Sequence, residues 1–247
     1  MYRLVTLRSC GRAYRAGVLR FAQDDTLKSR TRSNATTPPW QLRLGWGSRH
    51  PATKKVIAKG TTLDFIDKLQ DLIGKFQSRT AELAIGPSTL RNQGAPGVVD
   101  TARKYLMRLD LKQFNDCTQK DFQGVLDKET KKLQNQFPEG AKNWGAARKA
   151  LNIFLRDALY NHYLREHYKL QHIASWLEIP LDSHVAGRLR GEYRGSDLSK
   201  WPGIRHMDSD ISDEYQCVAE QVAGRRGVAR VHLDLFYWRA AKPVAKE

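Results

Sequence analysis

The chain has 247 residues, 40% of them apolar, with 42 Lys and Arg against 26 Asp and Glu and a formal net charge of +16. That length and apolar content can furnish a full core, which excludes disorder for the whole. No run approaches the roughly 18 to 20 consecutive apolar residues of a membrane span. Cys10, Cys117 and Cys217 are too few and too scattered for a disulfide framework or a four-cysteine metal site, and fit a reducing interior. So basic a chain is expected to meet a polyanion, most often nucleic acid.

The charge is unevenly spread. Residues 1–55 hold 12 of the Lys and Arg residues against only Asp24 and Asp25, so +10 falls there and +6 on residues 56–247. The first 55 residues lack apolar periodicity and cluster Ser, Thr and Pro around Thr36-Thr37-Pro38-Pro39, which predicts a disordered basic tail. Three origins compete for it: an arm that grips phosphates, an Arg-rich transit peptide, or a spurious upstream extension of the reading frame. The run Gly17-Val18-Leu19-Arg20-Phe21-Ala22-Gln23-Asp24-Asp25 looks like translated bacterial intergenic repeat and favours the third.

From residue 56 to 247 the pattern predicts an all-α domain of one or two closely packed lobes. Thr62 can cap a first helix in which Leu63, Ile66, Leu69, Ile73 and Phe76 share one face. Helical patterns follow at about 97–110, 119–135, 144–168, 183–190, 210–223 and 228–240. Gly and Pro punctuate the joints at Gly86-Pro87, Gly94 to Gly97, Pro138 to Gly140, Pro180 and Trp201-Pro202-Gly203.

Two segments carry chemistry. In Asn143-Trp144-Gly145-Ala146-Ala147-Arg148-Lys149-Ala150-Leu151-Asn152, a glycine-containing turn opens a strong helix with Lys149 in its first turn or two. The positive end of a helix disfavours a cation and so favours the neutral, nucleophilic amine, and Arg148 adds a second positive neighbour. A solvated lysine or a phosphate contact is the plainer alternative. In Leu177-Glu178-Ile179-Pro180-Leu181-Asp182-Ser183-His184-Val185, Pro180 stiffens the approach and Asp182 or Ser183 can cap a short helix.

Together, Gly145, Arg148, Lys149 and Asn152 followed by Pro180, Asp182, Ser183, His184 and Val185 resemble the helix-hairpin-helix DNA glycosylase superfamily, closest in pattern to the archaeal-type 8-oxoguanine glycosylases. The resemblance implies a helix-hairpin-helix glycosylase-like fold, with a hairpin (Asn143, Gly145, Ala147, Arg148) on the DNA backbone, Lys149 attacking the sugar and Asp182 supporting the chemistry. Ala147 stands where the family has its second hairpin glycine, and Trp144 where it has a proline. The separation of Lys149 and Asp182 exceeds that of endonuclease III, and that enzyme's four-cysteine iron–sulfur motif is absent, so no cofactor is expected. Leu90-Arg91-Asn92-Gln93-Gly94 is similar to the family's minor-groove loop, which gives Gln93 the role of filling the gap left by an extruded base.

The expected activity is flipping and excision of a modified base from double-stranded DNA, leaving an abasic site, with Schiff-base lyase action by Lys149. The substrate is either a hypermodified phage base such as glucosylated hydroxymethylcytosine, in antiviral defence, or 8-oxoguanine, in repair. A non-catalytic helix-hairpin-helix DNA-binding module is the rival from another class. The chain is expected to be a cytoplasmic, nucleoid-associated monomer without membrane contact. His162, His167, His172 and His184 lack a zinc-site spacing, so no metal is expected. Tyr160, Tyr163, Tyr168 and Trp176 are core residues or base-stacking candidates. Asp234 is a second carboxylate candidate, more simply a partner of Arg225, Arg226 or Arg230.

Overall fold

Apolar residues recurring every three or four positions specify one helix after another. The computed structural model describes residues 59–238, with side chains from Ile66 onward, and holds helices and turns with no strand among the described residues. In chain order these are α1 (Lys59–Ala84), α2 (Val98–Met107), α3 (Lys112–Asp116), α4 (Gln119–Gln136), α5 (Trp144–Tyr160), α6 (His162–Tyr168), α7 (Ser183–Glu192), α8 (Ser209–Arg226) and α9 (Leu233–Tyr237). Single 3-10 turns lie at Leu170–Ile173, Ile204–His206 and Arg230–His232. No described helix is long and apolar enough to cross a membrane. The expected tail, residues 1–55, lies outside the described residues.

α5 is the axis of the first lobe. Every residue from Gly145 to Asn152 is buried, so this helix is surrounded rather than amphipathic. Its alanines, Ala146, Ala147, Ala150 and Ala158, let α1, α4 and the Ile204–His206 turn approach closely. Ile73, Leu106, Phe114, Phe122, Leu126, Leu133, Leu151 and Phe154 complete one continuous core. A second core gathers Val185, Leu189, Tyr215, Val218, Val222 and Leu233 from α7, α8 and α9. The extended strap Leu177–Leu181 joins the lobes: Leu177 packs in the first core, Ile179 and Leu181 in the second. At about 1.5–3 kcal/mol per buried large side chain, that anchorage fixes the strap firmly.

Local chemistry sets the helix ends, and in places shifts them from the periodic pattern. The run expected as one helix over 144–168 breaks at Asn161, whose backbone is extended and whose side chain accepts the Leu164 amide at 3.1 Å to start α6. Thr62, expected as a cap, lies inside α1 because that helix starts at Lys59. On its apolar face Ile73 and Phe76 pack into the first lobe, whereas Ile66 and Leu69 stay exposed because the early turns of α1 outrun the core. The pattern at 97–110 ends early, with α2 stopping at Met107, and the short α3 at Lys112–Asp116 lies outside every expected helix; the pattern at 228–240 holds a 3-10 turn and α9, with residues beyond 238 outside the described ones. α8 ends where Gly227 turns left-handed at φ 67°, letting the Val228 amide reach the Ala223 carbonyl at 3.2 Å.

Candidate functional site

A lone carboxylate in an apolar run needs a partner, and Glu178 of the strap finds Arg148 of α5. The Arg148 guanidinium donates to both Glu178 oxygens at 2.8 and 2.9 Å, to Asp127 at 2.8 Å and to Thr130 Oγ1 at 2.9 Å; Asn152 Nδ2 adds a 2.8 Å bond to Glu178. Burial alone would raise the Glu178 carboxyl, but the Arg148 charge and hydrogen bonds, with Arg230 and Asn152, outweigh it and hold it at about 2. Two more side chains grip the strap by its backbone. Arg230 donates to the carbonyls of Trp176 and Leu177, each at 3.0 Å, and Gln216 accepts from the Ile179 amide at 3.1 Å and donates to its carbonyl at 2.8 Å. Both lobes therefore hold the strap immediately before Asp182.

Asp182 leaves the strap extended and caps α7. Its Oδ1 accepts the amides of His184 and Val185, both at 2.9 Å, while Oδ2 lies 3.4 Å from Lys149 Nζ. The lysine side chain is 8% exposed and the aspartate 36%, so the amine is set back from solvent and the carboxylate is the more exposed of the two. The helix start contributes less here than the sequence implied. Lys149 is the sixth residue of α5, past the first turn in which a helix end acts, and Arg148 is neutralised by Glu178 and Asp127. The electrostatics at the amine are those of an ion pair across the junction between the lobes.

Three loops frame this pair. Gly145 stands one turn before Lys149 on the same face of α5, and a Cβ there would lie 2.1 Å from the Ile204 carbonyl oxygen, so the Ile204–His206 turn sits on the helix because residue 145 has no side chain. Trp201, in the same loop, donates its indole N–H to Ser183 Oγ at 3.2 Å, beside Asp182. The loop thus bridges from α7 to α5. Gly94, at φ 108°, brings the second loop against the Gly140 carbonyl of the α4–α5 turn, where a Cβ would lie 2.2 Å away. Gln93 and Asn143 meet in that contact, Asn143 Nδ2 donating to the Gln93 carbonyl at 3.0 Å.

Lys149 and Asp182 are therefore brought together, and the residues expected to touch DNA are largely turned inward. Arg148 is 1% exposed, with four of its five N–H donors committed to carboxylates and a hydroxyl and the fifth buried with them, which takes the guanidinium away from any phosphate. Ala147 is buried and its amide donates to the Asn143 carbonyl at 3.3 Å. Gln93 is 7% exposed and donates to the Arg91 carbonyl at 3.0 Å, so filling a gap in DNA would require it to leave this pocket. Gly145 serves close packing. Asn143 stays half-buried at the start of α5 with its side chain turned to Gln93.

Asp234 pairs with Arg156 of α5, which also holds Asp157, whereas Arg225 and Arg226 turn to Glu192. Burial raises the Asp234 carboxyl above the ordinary range against the pull of Arg156, and Asp182 adds to the rise. Tyr163 stacks on Phe76 with ring centroids 4.3 Å apart, Tyr168 and Trp176 pack on the first core, and Tyr160 stacks on His232. Among the described residues no three His, Cys, Asp or Glu side chains group as metal ligands; His162, His167 and His172 each lie edge-on to a neighbouring ring, and His184 Nε2 meets the Tyr237 carbonyl. The strap clamp escaped sequence reasoning. Its one local signal is Glu178, a single charge in the otherwise apolar run Leu177 to Leu181; nothing near Gln216 marks it. No protein-family model, curated protein or solved structure matches this chain.

Proposed function

We propose that this protein is a DNA glycosylase that extrudes a modified base from duplex DNA and cleaves its N-glycosidic bond, with Lys149 as nucleophile and Asp182 as its carboxylate. The observation that carries the reading is the 3.4 Å approach of a recessed Lys149 Nζ to Asp182 Oδ2 at the junction between the lobes. In the reaction the Lys149 ammonium passes a proton to Asp182, needing a shift of a few tenths of an ångström to reach hydrogen-bond range. The free amine then attacks C1′ and the base departs with the glycosidic electron pair. The departing base takes up the proton held by Asp182, and the carboxylate so restored stabilises the positive charge left on the sugar and its newly bonded amine. Opening of the sugar ring leaves an imine on Lys149, from which β-elimination cleaves the 3′ C–O bond and nicks the strand. Hypermodified phage cytosine, as in defence, and 8-oxoguanine, as in repair, are the two substrate classes put forward.

The test is incubation of the full chain with duplexes carrying 8-oxoguanine, uracil, alkylated purines or glucosylated hydroxymethylcytosine, scored for abasic sites and for a covalent adduct after borohydride, which reduces the imine to a stable amine. One substrate should give both products. Lys149→Gln should abolish the adduct, and Asp182→Asn should slow excision by at least about tenfold with duplex binding retained. Binding without base release from any substrate would leave a DNA-binding module in which the lysine and aspartate only join two lobes.

A further inference from the structure

With Arg148 buried, the cations free to meet a phosphate beside Lys149 must come from elsewhere, and the loop contacts bring them together. Arg205 follows Ile204, whose carbonyl rests on Gly145, one helical turn from Lys149. Its guanidinium lies over Gly94, with Nη2 3.5 Å from where a Cβ would stand. Arg91 begins that second loop three residues earlier, which keeps its Cα within about 11 Å of Gly94. Both arginines are exposed, and neither side chain has a hydrogen bond or ion pair among the described residues. Lys200 stands exposed at the other end of the Trp201–His206 loop. The neighbouring acids are already occupied: Glu139 by Lys142 at 2.7 Å, and Asp208 by the Ile211 amide at 3.0 Å, which starts α8. Arg91, Lys200 and Arg205 against Asp208, with Glu139 paired to Lys142, leave these two loops net positive where Arg205 lies over Gly94.

We propose that Arg205 and Arg91 form the phosphate grip of this protein, seating the sugar–phosphate backbone of duplex DNA beside Lys149 and Asp182. The inference rests on the proposed reading of the chain as a duplex-DNA enzyme and assigns backbone contact to the Trp201–His206 and Arg91–Gly97 loops instead of the start of α5. A guanidinium suits the role because its planar donors engage two phosphate oxygens at once.

Backbone contacts can be counted independently of chemistry, because each phosphate neutralised releases counterions and adds about 0.9 to the slope of log affinity against log salt. Binding of the full chain to a short unmodified duplex, titrated in salt, should become shallower by about that amount in Arg205→Ala and again in Arg91→Ala. Arg205→Lys should keep most of the slope, since it keeps the charge. Lys128→Ala, eight residues before the end of α4, should leave it unchanged. All four variants should melt like the parent, because the altered side chains are exposed. If the parent binds and Arg205→Ala keeps the full slope, or Lys128→Ala lowers it equally, the assignment to these loops is wrong while the Lys149 adduct still stands for the enzyme. A parent that binds no duplex overturns both.

Discussion

Asp182 divides two tasks between its oxygens, Oδ1 accepting the amides that start α7 and Oδ2 facing Lys149. The tasks separate by substitution. Asn keeps the cap and removes the charge, whereas Ala removes both, so Asp182→Ala should unfold more easily than Asp182→Asn by about 1 kcal/mol in urea, with the two equally poor in adduct formation. The neighbouring acids give the pH dependence, with opposite signs. Glu178 is held at about 2 in the folded chain, below its ordinary 4.5, so its contribution is complete above pH 4.5 and is lost as pH falls toward 2. Burial and the Glu178 carboxylate push Asp213 up to about 6 from 3.8, so its contribution is complete below pH 3.8 and is lost as pH rises through 6. Asp213→Asn should therefore raise the melting temperature at pH 7 and leave it near the parent value at pH 4. Asp213 keeps solvent contact, so the gain should stay under about 1 kcal/mol.

At the scale of elements, helix propensity and packing make opposite claims on two glycines. Gly187 lies mid-α7 with nothing within 4 Å of an added Cβ, so Gly187→Ala should stabilise by about 0.5–1 kcal/mol, as propensity alone predicts. Gly145 is also helical, and propensity would favour alanine there as well. Its Cβ would meet the Ile204 carbonyl oxygen at 2.1 Å and the Met207 Cβ at 3.0 Å, so the loop must lift away. Gly145→Ala should lower stability by more than about 1 kcal/mol and weaken the adduct, as thermal melting and borohydride trapping would read. A stabilised Gly145→Ala protein would mean that the loop does not rest on α5.

For the whole molecule, the two cores and the strap between them are, among the described residues, built from the chain between α1 and α9. Removal of residues 1–55, a cut ahead of Lys59, should leave the melting transition and the Lys149 adduct intact and cost only part of the salt-dependent affinity for duplex. Loss of the adduct in the shortened chain would make the basic segment part of the working site.

The all-helical character, most helix starts and the two segments that hold Lys149 and Asp182 were legible in the chain, because period, caps and glycines are local signals that act within a few residues. Even the Asn161 break is local in cause, although the apolar pattern runs through it. Partnership was settled by the packing of distant segments. Arg148, an apparent phosphate contact beside Lys149, turns inward because Glu178, thirty residues on, is buried opposite it and needs a cation. Gln216 clamps Ile179 from another helix, and Gly145 answers to a carbonyl on a loop far along the chain. Such pairings depend on which surfaces meet once both cores close, and a charge on an isolated segment carries no mark of whether it will face water or a buried carboxylate.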